Sequence, residues 1–322
     1  MLTNVSLARM GLLSILLSVA ATWAWIRFSK RESIGQEIRQ EGNKAHYQKQ
    51  GTPTMGGVAF TLVFLVLLFV YGGFNYETFI IMAATVGFSA IGFLDDAAKV
   101  YKRQSEGLTP RQKLILQFGI AGLLVLINFF STPEMATQTV PLFGWRWHWG
   151  ILWIPVLAFV IVGTVNATNL TDGLDGLAGG VSVPVFLTMA FLGAKERLGN
   201  GVPTVAALLF AGVLVGFLFF NNHPAQVFMG DTGSMAIGGA LCGMLLLLNR
   251  LPFLLFLGGI YLVEALSVMI QVTYFRHTGG KRIFLMSPIH HHFELKGIPE
   301  QKVTASFRFV SVLLCLVTIW LW

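Results

Sequence analysis

The chain has 322 residues, of which 55% are hydrophobic and 11% charged, with a formal net charge of +7. So little charge excludes an ordinary soluble domain, where about 25% of residues are charged. The two cysteines, Cys242 and Cys315, both fall inside apolar runs, which excludes a disulfide framework or a thiolate metal site and leaves them as small packing residues.

A membrane-crossing helix needs about 20 mostly apolar residues. Ten runs approach that length: 7–28, 54–71, 78–97, 113–130, 150–168, 177–193, 202–220, 233–249, 252–275 and 303–322. The expected fold is therefore an all-α polytopic membrane protein of about ten transmembrane helices. With no long linker, low-complexity tract or internal repeat, residues 1–322 read as a single domain. No small-residue cleavage site follows the first run, so it reads as a helix rather than a signal peptide. The stretch WAWIRFSKR behind it reads as an aromatic and basic interfacial anchor. The ninth run ends in polar residues, and its cytoplasmic end is expected to bend or leave the bilayer.

The loops at 27–53, 95–113 and 276–302 fall on one side of such a bundle and hold sixteen of the 22 basic residues. By the positive-inside rule that side is cytoplasmic, and both termini lie outside. The basic charge is thus an orientation signal and does not imply a nucleic-acid partner. All five aspartates, Asp95, Asp96, Asp172, Asp175 and Asp231, fall on the same cytoplasmic side. Acidic groups at membrane depth are costly and face wet cavities or partners, so an active site in a cytoplasmic cleft is expected.

Five stretches carry the chemistry, in chain order. HYQKQGTPTMGG (46–57) joins basic groups to a glycine-rich helix start, which suits anions. GFLDDAAKVYKRQ (92–104) closes the third helix. There Asp95 and Asp96 point about 100° apart, and Lys99 lies one turn beyond Asp95, able to pair with it or meet a phosphate. NATNLTDGLDGLAGG (166–180) places Asn166, Asn169, Asp172 and Asp175 where glycines argue for a helix end and a turn, aiming amides and carboxylates into a wet pocket. FNNHPAQVFMGDTGSMAIGG (220–239) sets Asp231 at a helix start, as a cap or as a functional acid, beside Asn221 and His223. MSPIHHHFELKG (286–297) offers His290 and His291 for proton relay or phosphate binding. Consecutive histidines cannot all ligate one metal, and no HExxH pattern accompanies them. Aspartates for a hard cation, lysines and helix N-termini for phosphates, and asparagines for a sugar or base make a kit for phosphoryl transfer.

In this order, KQGTPTMGG, FLDDAAK, NLTDGLDGLAGG, FMGDTGS and IHHHFELKG resemble the bacterial phospho-N-acetylmuramoyl-pentapeptide transferases (translocase I). That family lies within the polyprenyl-phosphate N-acetylhexosamine-1-phosphate transferase superfamily. The resemblance covers nearly the whole chain. It implies a multi-pass enzyme of the bacterial inner membrane that works in peptidoglycan biosynthesis with Mg²⁺. The reaction implied is transfer of phospho-MurNAc-pentapeptide from UDP-MurNAc-pentapeptide to undecaprenyl phosphate, giving lipid I and UMP. The resemblance also implies a homodimer and inhibition by nucleoside natural products. By motif, Asp95 and Asp96 match the acidic pair that activates the lipid phosphate or acts as nucleophile. Asp231 matches the Mg²⁺ ligand, and Asp175, Asn221 and His290 match further essential polar positions. Phe228 matches the residue that stacks on uracil, while Asn169, Asp172 and Gln271 match the nucleotide pocket. Lys49, Thr54, Lys99 and Lys113 match phosphate or substrate contacts. EGNKAH (41–46) departs from the pattern, since many members carry a proline and a serine before the histidine.

Two other readings remain in view. A sibling enzyme would transfer GlcNAc-1-phosphate to the same lipid, against which the IHHHFELKG stretch speaks. A transporter would place its carboxylates near the bilayer midplane, with repeat symmetry.

Overall fold

In the computed structural model, which describes residues 4–35, 49–102, 104, 106–140, 145–195 and 201–322, helices take up nearly all of each apolar run. They are α1 (Asn4–Arg31), α2 (Gly57–Gly72), α3 (Tyr76–Lys102), α4 (Pro110–Ser131), α5 (Trp153–Thr171), α6 (Leu177–Lys195), α7 (Val202–Asn221), α8 (Gly230–Leu247), α9 (Leu254–Leu257), α10 (Gly259–His277), α11 (Ile289–Leu295) and α12 (Glu300–Leu321). Eight of them are long and apolar enough to cross a membrane, and the segments Leu251–Leu257 and Gly259–His277 make a ninth span if taken together. The tenth expected span is α2, whose 16 apolar residues rise only about 24 Å, short of a bilayer core. The protein is an all-α polytopic membrane protein.

Two details differ from the sequence reading. The ninth run does bend, by 84°, but at Gly258, its end nearer the start of the run, and not at the polar end. Between α4 and α5 the chain forms a small hairpin, β1 (Thr137–Val140) antiparallel to β2 (Trp145–His148), with Thr137 opposite His148. His148 Nδ1 lies 2.8 Å from Thr137 Oγ1, so it ties the hairpin together. The EGNKAH stretch and residues 46–48 lie outside the described residues.

Glycine and alanine decide the centre. α8 carries Gly233, Ala236, Gly238, Gly239, Ala240 and Gly243, all buried, and small residues let helix backbones approach closely where lipid offers no hydrophobic drive. Its closest neighbour is α3: a Cβ on Gly239 would sit 2.6 Å from the Ala84 carbonyl oxygen. α7 and α6 pack outside this pair, around Phe60, Phe64, Phe186, Phe210 and Phe217. α1, α4 and α12 form the rim and expose Leu12, Leu16, Ile115, Phe130, Phe309 and Trp320, as a lipid-facing surface should.

The two ends of the bundle are built differently. At one end α3, α5 and α8 bring their acidic termini together. At the other, Tyr76 donates to Asn128, which donates to the Leu246 carbonyl. Gln138 bonds Asn249 there, and Arg250 stacks over Trp322.

Candidate active site

The acidic end starts with the N-termini of α2 and α8 and the last three turns of α3 in close contact. A Cβ on Gly92 of α3 would lie 2.2 Å from the Asp231 carbonyl oxygen, and one on Gly57 of α2 would lie 2.2 Å from the Gly233 nitrogen. Glycine is the residue that permits such approach. Met229, at the N-cap of α8, supplies no side-chain cap. Asp96 does so from α3: its carboxylate accepts from the Asp231 N–H (3.1 Å), the Thr232 N–H (2.9 Å) and the Thr232 hydroxyl (2.8 Å). A carboxylate there also meets the positive end of the helix dipole. Asp231 is therefore released from capping, and its side chain turns to Lys99, Lys113 and Asn169.

Asp95 points elsewhere, as the 100° step requires. Its Oδ1 accepts from the Leu108 N–H at 2.7 Å and lies 3.0 Å from Lys113 Nζ. Its Oδ2 lies 2.6 Å from Lys99 Nζ, one turn on, yet that contact is out of line for a hydrogen bond and the oxygen has no aligned donor. Lys113 comes from the start of α4, which is fixed by Pro110 and by a reciprocal capping box between Thr109 and Gln112. Both lysines converge on Asp231 Oδ2, at 2.7 Å for Lys113 and 3.3 Å for Lys99. Asn169 of α5 donates to Asp231 Oδ1 (3.0 Å) and to Ser234 Oγ (2.9 Å). Asp95, Asp96 and Asp231 each offer an oxygen within 4.8 Å of the others. Among the three side chains Asp231 is the most open, at 17% exposed against 1% for Asp95. All-oxygen donors with surplus negative charge fit a hard cation.

After Thr171 the chain leaves α5 and turns, as expected for NLTDGLDG, with Gly176 at φ 68°. Asp172 sits in this turn. Burial, then the like charges of Asp231, Asp96 and Asp175, push its carboxyl well above the usual aspartate range. Asp175 forms a second cluster: its Oδ1 accepts from Lys49 Nζ (2.7 Å), its Oδ2 accepts from the Ala225 N–H (3.1 Å) and lies 3.1 Å from His223 Nδ1. Glu300, first residue of α12, accepts from Lys49 (2.7 Å) and from the Asp175 N–H (2.7 Å).

The remaining expected residues surround these clusters in different ways. Phe228 is half-buried, its backbone pinned between the Pro53 carbonyl and the Gly56 N–H. Thr54 is buried beside it and its carbonyl accepts from Trp25. Asn221 is buried and donates to the Val227 carbonyl, bracing the turn that leads to Phe228. Gln271 accepts from the Ile283 and Phe284 N–H groups and holds the 278–288 loop on α10. Asn166 is not brought to the cluster by any contact: its amide is taken up by Gln117 and the Val162 carbonyl. His290 is buried against Gly173. His291 packs its ring against it at a tilt and pairs with Glu294 at 2.6 Å, and the half-buried His292 accepts from the Leu285 N–H. The sequence reading weighed aspartates and overlooked two glutamates, Glu264 and Glu300. A lone acid inside the ninth apolar run is itself a signal. Glu300, in a loop full of charges, gave none.

Comparison with known proteins adds a separate line. The family model described as Glycosyl transferase family 4 matches residues 78–249, and phospho-N-acetylmuramoyl-pentapeptide-transferase signature 1 matches residues 49–60. Three similar proteins carry the name phospho-N-acetylmuramoyl-pentapeptide-transferase. The one from Caldanaerobacter subterraneus subsp. tengcongensis is 44% identical over 94% of both chains. That from Clostridioides difficile is 40% identical over 99% of this chain and 98% of its own. That from Clostridium perfringens is 43% identical over 88% of each.

Proposed function

The chain belongs to the phospho-N-acetylmuramoyl-pentapeptide-transferase family, and from that premise we propose how its residues share the reaction. The reaction transfers phospho-N-acetylmuramoyl-pentapeptide from UDP-MurNAc-pentapeptide to undecaprenyl phosphate, and gives lipid I and UMP. An oxygen of the lipid phosphate attacks the phosphorus bonded to the sugar. The bond to the UMP phosphate breaks, and UMP leaves with the electron pair. The sibling GlcNAc-1-phosphate reading shares the broad family match, but the signature at 49–60 favours the muramoyl-pentapeptide substrate. Carboxylates gathered at helix ends, rather than mid-span, speak against a transporter.

The observation that carries the proposal is the set of three carboxylates and two lysines at one end of the bundle. Lys99 and Lys113 supply positive charge for two phosphate groups that must approach each other. Asp231 and Asp95 would hold Mg²⁺, since one is the open carboxylate and the other has an oxygen without an aligned donor. When bound, Mg²⁺ neutralises the diphosphate and polarises its P–O bonds. Asp96, with both oxygens occupied by the start of α8, positions Asp231. Asn169 and Asp172 line the nucleotide side, where Phe228 covers the uracil face. His291 and Thr54 border the sugar and phosphate side, and Lys49 and Asp175 fix the turn between them. The site faces the cytoplasm of the bacterial inner membrane, where the nucleotide substrate is made, and homodimers and nucleoside inhibitors fit the same reading. Purified protein with radiolabelled UDP-MurNAc-pentapeptide and undecaprenyl phosphate should form labelled lipid only with Mg²⁺. Equal labelling from UDP-GlcNAc would overturn the substrate assignment.

A further inference from the structure

Glu264 lies inside α10, in an apolar run, and is 0% exposed. No lysine or arginine pairs with it among the described residues. The ionisable group paired with it among the described residues is His290 of α11, also 0% exposed, whose Nδ1 lies 3.1 Å from Glu264 Oε1. The distance suits a hydrogen bond while the alignment does not, and neither carboxylate oxygen nor ring nitrogen has another hydrogen-bond partner among the described residues. A buried carboxyl group left alone is unfavourable, and the imidazole is the polar group that the fold sets against it. The opposite edge of the ring faces the candidate active site. A Cβ on Gly173 would fall 2.1 Å from His290 Nε2, and Gly173 adjoins Asp172 in the turn beside the carboxylate cluster. Set against the ring are therefore Glu264 from α10, the Gly173 backbone of the turn, and His291 from α11, whose ring centroid lies 4.1 Å away.

We propose that Glu264 is a positioning residue for His290: its carboxylate accepts a hydrogen bond from the Nδ1–H and so leaves Nε2 as the ring atom presented to the Asp172–Gly173 turn. A carboxylate on one imidazole nitrogen fixes tautomer and orientation at the other. The proposal rests on the transferase reading of this site. His290 lies against the Asp172–Gly173 turn of that site, and Glu264, lying behind the ring, acts through it.

The test uses the full-length protein in detergent or nanodiscs, with Glu264→Leu and Glu264→Gln. Leucine fills the space but accepts no hydrogen bond; the glutamine amide oxygen still accepts one. ¹⁵N spectra of histidine-labelled wild type should show His290 protonated at Nδ1, a signature kept by Glu264→Gln and lost by Glu264→Leu. Glu264→Leu should lower kcat about 10- to 100-fold, with KM for UDP-MurNAc-pentapeptide within about twofold of wild type. Glu264→Gln should retain most of the activity. An unprotonated Nδ1 in wild type, or an unchanged kcat in Glu264→Leu, overturns the proposal. If the leucine variant does not fold, the wild-type and glutamine spectra decide alone. Those spectra do not depend on turnover, so a wild type that fails to make labelled lipid sinks the transferase reading without touching this result.

Discussion

Two carboxylate clusters lie at the same end of the bundle and differ in how their charge is satisfied. Around Asp175 every carboxylate oxygen has a partner: Lys49 reaches Asp175 and both oxygens of Glu300, the Ala225 N–H and His223 take Asp175 Oδ2, and the Asp175 N–H binds Glu300. Around Asp231 three carboxylates face two lysines, and Asp95 Oδ2 lacks an aligned donor. Both sets have the donor types of a metal site. Only the second leaves a carboxylate oxygen without an aligned donor. A saturated cluster braces a turn, whereas an unsaturated one is ready for a cation, so proximity of acids alone does not identify the site.

The largest expected effect separates the two. Asp231→Asn keeps the shape and loses the charge, and lipid-linked product formation should fall by roughly a hundredfold to a thousandfold, the scale of losing one electrostatic contact to a transition state. Its melting temperature should stay near that of wild type, because the start of α8 is capped by Asp96 and not by Asp231. Asp175→Asn should instead unfold at lower temperature. If Asp231→Asn melted early and kept its activity, the division between the clusters would be reversed.

Next comes the cation itself. Chelation should stop transfer reversibly, and Mg²⁺ at about 100 times its dissociation constant should stabilise the wild type by roughly 2.7 kcal/mol. Differential scanning fluorimetry should show that gain lost in Asp231→Asn and kept in Glu300→Gln. Glu300→Gln itself should cost about 1 kcal/mol, since a partly exposed ion pair contributes little and the amide oxygen still accepts. A Mg²⁺ response abolished by Glu300→Gln would move the cation to the other cluster.

Much of this was legible because membrane helices announce themselves by length, and the charge asymmetry drew attention to the end where the carboxylates gather. The Lys99–Asp95 contact followed from helical spacing, and the end of α5 after Thr171 followed from the glycines. What stayed hidden depends on partners far apart in sequence. Nothing local says that Asp96 caps a helix 135 residues later, or that Asn166 spends its amide on Gln117. The bend at Gly258 was placed at the wrong end of its run, because a polar flank shows where a helix leaves the bilayer but not where packing breaks it. Glu264 was visible as an acid in an apolar run, yet only the fold supplies His290.

The smallest effect bears on Asp172, which lies between the two clusters and belongs to neither. Burial, followed by Asp231, Asp96 and Asp175, holds its carboxyl well above the ordinary value of 3.8. The folded protein therefore keeps this proton at pH values where the unfolded chain has lost it. The stability so contributed is complete below the unfolded value and is lost as pH rises through the folded one. Without metal, Asp172→Asn should then melt above wild type at neutral pH, and the gap should close as pH falls toward 4, near the ordinary aspartate value. Mg²⁺ at the Asp231 cluster would offset the like charges that raise Asp172, so adding it should narrow the gap at neutral pH. Melting curves of both proteins across pH, with and without Mg²⁺, test this directly. A gap that ignores Mg²⁺ would mean that burial alone raises Asp172 and that the cation sits elsewhere. A gap that narrows with Mg²⁺ in Glu300→Gln but not in Asp231→Asn would place the cation's field at the cluster with unsatisfied charge.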